Sequence, residues 1–274
     1  MIKQARALGT LAVLALAAGA VPAGAQDGDF TPPRATQYAE VTAWPDFTGV
    51  WNPDWSILFG RNGRVPPSPV LTPDAQAALE AFQEQQAREG VDQFLQVNCI
   101  PPGMPGIMRQ PYPIEFLYSP GRVTIFAETY SQARRIYVDP GRQLPEDPDP
   151  LFNGTSVGFW EDDTLVVDTV GFNPFVTFMA GVTPSEDMRI HEHFWLDEEG
   201  VLWLETTITD PAVLAEPFVQ TLAYRREPDW EIREYVCAEN NRLVDDENGA
   251  NVDLGLDEGD DPFGPPVDED APED

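Results

Sequence analysis

Few residues in this chain could carry chemistry, and most of them stand alone in apolar company. The alternating run Met188–Leu196 sets Glu192 in one row with Met188, Ile190, Phe194 and Leu196. The same period of two sets Asp168 beside Val166 and Val170, Arg134 beside Ile136 and Val138, and Gln220 and Tyr224 beside Phe218 and Leu222. In Trp230–Val236 it sets Glu234 beside Ile232 and Val236. A carboxylate buried without a partner is costly, so these groups are expected to meet. Three chemistries fit such a meeting. It is an ion-pair network that fixes the fold, or a polar patch of Arg134, Gln220, Tyr224 and Glu234 that orients an apolar ligand. Otherwise it is an acid/base pair, with Glu192 and Asp168 as the catalytic carboxylates.

His191 and His193 are the two histidines of the chain and share the opposite row with Arg189. Two histidines at i and i+2 on a strand can seed a metal site. Arg189 beside them favours an outer surface instead, and no metal is assigned. Gly154-Thr155-Ser156-Val157-Gly158 has the spacing Gly-x-Ser-x-Gly, but it lies within the strand run Thr155–Trp160 and not at a strand-to-helix turn, and no glycine-rich loop opens a helix. Neither a serine triad nor a nucleotide cofactor is supported, and the expected cofactor set is none. Val244–Gly255 has Asn248 and Gly249 in calcium-loop positions but lacks carboxylates at its first and last, so it is rejected as an EF-hand. Asn153-Gly154-Thr155 is a formal glycosylation sequon, read as chance behind a leader of bacterial type.

The elements that must position these groups read as strands. Ile114–Tyr118, Arg122–Glu128, Arg134–Val138, Thr155–Trp160, Thr164–Val170, Met188–Leu196, Val201–Thr209, Phe218–Arg226 and Trp230–Val236 are rich in β-branched and aromatic residues. Ser119-Pro120-Gly121, Glu161-Asp162-Asp163 and Glu198-Glu199-Gly200 are natural turns between them. Nothing alternates with long helices, so the expected class is mainly β, an antiparallel meander closed into a barrel or folded as two packed sheets. One short amphipathic helix is expected after Thr72-Pro73-Asp74, with Ala75, Leu79 and Phe82 on its apolar stripe and Gly90 at its end. Residues 98–113 hold five prolines and two glycines and read as a long loop.

The ends of the chain bound where it works. Residues 1–25 combine Lys3 and Arg6, an apolar stretch Leu8–Val21, and small residues before Gln26, which is the pattern of a secretory signal peptide. Residues 26–45 read as an extended lead-in, 46–244 as the β domain, and 245–274 as an acidic disordered tail with 13 acidic residues and no basic one. Removing Lys3 and Arg6 takes the net charge from −31 to −33. Such a surface repels phosphate backbones and anionic lipid, so nucleic acid is not an expected partner. No segment after the leader has the ~18 consecutive apolar residues of a membrane span. The expected location is periplasmic or secreted. There the two cysteines, Cys99 and Cys237, are expected to pair, in preference to a zinc site or a reactive thiol.

Gly49-Val50-Trp51 resembles the opening Gly-x-Trp of lipocalin-like, or calycin-like, barrels, which implies a Trp closing one end of the barrel. A longer set of elements resembles a large group of exported bacterial proteins. It comprises Arg134-Arg135-Ile136-Tyr137, Ser156 to Thr169, Gly171-Phe172-Asn173, Ser185-Glu186, Glu192 and Glu234-Tyr235-Val236-Cys237. The resemblance implies a shared calycin-like barrel and little about activity. Asp162 stands where members of that group carry Gly, and Pro184 where many carry His. The reading that results is an exported barrel holding a small apolar or aromatic ligand. Its alternatives are a cofactor-independent isomerase, lyase or hydrolase using an inward carboxylate, and an envelope protein with a solid barrel.

Overall fold

The computed structural model describes residues 38–58, 67–89, 99–176, 181–237, 243–246 and 249–252. The leader (residues 1–25), residues 26–37 of the lead-in and the tail after 252 lie outside the described residues; the rest of the lead-in is not all extended, because Tyr38–Val41 forms one helical turn. Nine strands close into a barrel in chain order: β1 (Gly49–Pro53), β2 (Ile114–Ser119), β3 (Arg122–Ala127), β4 (Gln132–Tyr137), β5 (Thr155–Glu161), β6 (Thr164–Val170), β7 (Arg189–Leu196), β8 (Leu202–Thr209) and β9 (Phe218–Arg226). The meander closed into a barrel that was read from the sequence is therefore present. One junction departs from it: β4 and β5 run parallel and share only the pairs Ile136↔Ser156 and Tyr137↔Val157. The Val138–Gly154 connection returns the chain to the starting end, which is what a parallel neighbour requires.

Trp230–Val236 is not a strand. Its composition suits one, but β9 already pairs with β1 (Trp51↔Arg226, Pro53↔Tyr224), so a closed barrel leaves no edge to extend. The segment is held by side chains instead. Trp230 Nε1 and the Arg233 N–H donate to the Glu128 carboxylate at 3.3 and 2.9 Å. Tyr235 packs on Tyr112 and Tyr130, and Cys237 closes the expected disulfide with Cys99. At the start of the acidic tail, Leu243–Asp246 pairs with Gly249–Val252 as a separate two-stranded hairpin, β10–β11, where no element was expected.

The helix starts at Pro73, with the Ala75 N–H bonded to Thr72 Oγ1 at 3.3 Å, and runs to Glu89. Its extent is the one expected, Gly90 itself lying outside the described residues, and Leu79 and Phe82 on its stripe are half-buried. No helix among the described residues is long and apolar enough to cross a membrane.

Strand direction gives the barrel two unlike ends. Tight turns cluster at one: Ser119–Arg122, Glu161–Thr164 and Asp197–Val201. Asp162 holds a φ of 50° there, which its short polar side chain tolerates. At the other end the chain leaves and re-enters the sheet for the longer connections from β1 to β2, β6 to β7 and β8 to β9. We refer to these as the turn end and the plug end.

Candidate functional site

Cross-strand partners share a face, so register decides what points inward. β6 and β7 pair Val167 with Glu192 and Asp168 with His191. Glu192 is wholly buried and inward, whereas Asp168 and His191 point outward and bond to each other, Oδ1 to Nδ1, at 2.7 Å. The placement of Asp168 among inward groups is thus corrected. β6 carries apolar residues on both faces (Leu165 and Val167, Val166 and Val170), so alternation alone could not choose between them. Glu234 is corrected as well: it is exposed, on a segment that never joins the sheet. Arg134, Gln220 and Tyr224 are inward and buried, as expected. His191 and His193 sit on the outer face with their rings 4.7 Å apart, and no cluster able to hold a metal occurs among the described residues.

The inward polar groups fall into two rows. On β5 and β6, Ser156 and Thr169 are paired residues whose hydroxyls lie 2.8 Å apart. On β7, β8 and β9, the register aligns Glu192, Thr206 and Gln220. Arg134 of β4 ties the rows together. Its Nη1 donates to Glu192 Oε1 at 2.9 Å and its Nη2 to Glu192 Oε2, a bidentate pair, while Nη2 also reaches Thr169 Oγ1 at 3.1 Å. Arg134 Nε is buried and has no hydrogen-bond partner. Both oxygens of Glu192 are taken up by the guanidinium, so the carboxylate is not presented to a substrate. Ser156, Thr169 and Thr206 went unseen in the sequence because Ser and Thr are ordinary strand residues on either face.

Apolar side chains fill the space around this network. Phe116 of β2 and Phe194 of β7 meet across the barrel with ring centroids 5.8 Å apart, and both are fully buried. Below them the turn end is sealed by strand-borne aromatics and the chain before β1. Trp51 Nε1 donates to the Phe47 carbonyl at 2.8 Å, and the Arg226 guanidinium lies 4.4 Å over the Trp51 ring. Trp51 does close this end, as its position in Gly-x-Trp implied. The Tyr118 hydroxyl donates to the Pro45 carbonyl at 2.8 Å, and burial pushes its phenol well up.

The plug end is sealed differently. The proline-rich segment Cys99–Pro113 places Met104, Ile107 and Met108 in the core, all but fully buried. Gly103 makes this seat, at φ 60°: a Cβ there would lie 2.4 Å from the Phe152 carbonyl oxygen. The Met104 N–H donates to that same carbonyl at 2.8 Å, and Tyr224 donates its hydroxyl proton to the Met108 carbonyl at 2.5 Å. Burial, and then the charge of Glu192, push the Tyr224 phenol up and keep it a donor. The seating of these residues had no sequence signal, since a Pro/Gly-rich loop shows no periodicity.

No protein-family model and no curated protein matches the chain. Among solved structures it is similar to the fluorescent protein UnaG, at 14% identity over 66% of this chain and 97% of that one, with a TM-score of 0.31. It is also similar to human cRBP IV, at 12% identity over 66% and 98%, with a TM-score of 0.30. The fold assignment rests on the strand order and closure described above.

Proposed function

We propose that this chain is an exported binding protein that takes a small apolar or aromatic molecule into its barrel from the plug end. The observation that carries this reading is the interior polar set. One guanidinium, one carboxylate, one amide and four hydroxyls lie in an otherwise apolar lining, and the buried Arg134 Nε has a donor to spare. Sparse polar groups in an apolar surround are what orient a small ligand. Room for it comes from the plug, because Met104, Ile107 and Met108 belong to a loop and not to the barrel wall. Flexible Met side chains suit a cover that leaves and reseats. Export is supported by the leader-like residues 1–25 and by the Cys99–Cys237 bridge, which suits an oxidising compartment.

Titration with the neutral fluorophore phenylnaphthylamine tests this, with hydrogen exchange followed on the same sample. The expected result is saturable one-to-one uptake that lowers protection in Met104–Met108 and leaves Phe47–Trp51 protected. A protein that stays dark up to the solubility limit of the dye overturns the reading. A second reading then gains, a solid structural barrel, which the Phe116–Phe194 contact across the interior favours.

A further inference from the structure

The plug carries one charged side chain that the interior network does not use. Arg109 ends the short turn Gly106–Arg109, directly after the buried Ile107 and Met108 and five residues before β2. It is half-buried. Elsewhere the chain gives guanidiniums partners, both the buried Arg134 and several that are more exposed than Arg109. Arg134 has Glu192, and Arg225 has Asp54. Arg226 has the carbonyls of Thr48 and Asp46 and the ring of Trp51, and Arg122 and Arg142 lie over Tyr137. Among the described residues, the Arg109 guanidinium makes no hydrogen bond, ion pair or ring contact, although the chain holds 47 acidic residues against 16 basic ones. Burial alone draws its guanidinium below the usual arginine value, and no carboxylate opposes that.

A sheltered cation left unpaired in so acidic a protein is a place where an anion from outside gains a partner without displacing one. We infer that Arg109 receives the anionic head, a carboxylate or an equivalent oxyanion, of an amphiphilic ligand whose apolar body enters beneath the plug. This deepens the binding reading above and rests on it. The geometry gives the head group two roles. It would neutralise Arg109, and it would be held on the segment that must shift for the body to enter, so that head and plug move together. The negative field of the rest of the chain would disfavour anions without an apolar body, which gain only this one contact.

Two dyes with the same arylamine body separate the claims: neutral phenylnaphthylamine and anionic anilinonaphthalene sulfonate. On the full-length mature protein, Arg109→Met is expected to weaken the sulfonate dye at least about tenfold, the scale of one charge-assisted hydrogen bond. The neutral dye should bind the variant as it binds the parent. Arg109→Lys, which keeps the charge, is expected to retain most of the sulfonate affinity, and an unchanged melting temperature for both variants excludes misfolding. If the neutral dye binds and Arg109→Met leaves the sulfonate affinity unchanged, the head-group assignment is wrong while the binding reading stands. If the parent takes up neither dye, both are wrong.

Discussion

The two ends of the barrel are closed by different means, and the difference separates what holds the molecule together from what can open. At the turn end the seal is made by residues of the strands and their immediate flanks: Phe47, Trp51, Phe116, Tyr118, Trp160 and Arg226. All but Phe47 are fixed by sheet register as well as by packing, and Phe47 is held by its N–H bond to the Tyr118 hydroxyl. At the plug end the seal is a loop whose described polar ties to the rest of the fold are few, helped by a disulfide to a segment beyond the last strand. Chain fixed at many points opens only with global unfolding, whereas loosely tied chain opens locally.

The strongest way to break this comparison is at the turn end. Trp51→Ala removes a fully buried indole, its hydrogen bond to Phe47 and the ring under Arg226. It is expected to lower global stability by about 4 kcal/mol, measured by urea denaturation. A loss under about 1 kcal/mol would mean that this end is not the anchor described.

Cys99→Ser with Cys237→Ser is the next largest. The bridge spans a sequence separation of 138 residues. Its loss is expected to cost about 2–4 kcal/mol, with hydrogen-exchange protection falling in Met104–Met108 well before it falls in Phe47–Trp51. Equal loss at both ends would erase the distinction between them.

Gly103→Ala sharpens the comparison within the plug. The added Cβ meets the Phe152 carbonyl and Val176 in a backbone conformation that L-residues disfavour. The expected cost is about 1–2 kcal/mol, appearing as local opening of the plug with little change in the denaturation midpoint.

The smallest effect concerns pH. The Ser56 hydroxyl first, against burial, and then Arg225 hold the Asp54 carboxyl below its usual value. A lowered carboxylate contributes stability that is present above the unfolded-state pKa and fades as pH falls through the folded-state value. Asp54→Asn should therefore flatten a shallow loss of stability at acid pH by well under about 1 kcal/mol, as read from melting temperatures across that range.

How much of this was legible in the sequence follows from what each feature depends on. The strands were readable because β-branched and aromatic runs between turns leave few alternatives. The inward placement of Glu192 was readable because Met188, Ile190, Phe194 and Leu196 stand on one row against Arg189 and two histidines. The placement of Asp168 was not, because both rows of β6 are apolar and only pairing with β7 decides between them. Trp230–Val236 has strand composition, but closure of β9 on β1 removes the edge it would need, and closure is a property of the whole sheet. The plug was legible as a loop, but nothing in its local pattern showed that Met104 and Ile107 would fill the barrel end.

The central claim, that the barrel holds a small molecule, is tested most directly by native mass spectrometry of the mature protein. The sample should come from its own host without detergent or denaturant. The account predicts a stoichiometric organic adduct, displaced when anilinonaphthalene sulfonate is added. A bare polypeptide mass that added dye leaves unchanged would contradict it and leave a solid barrel.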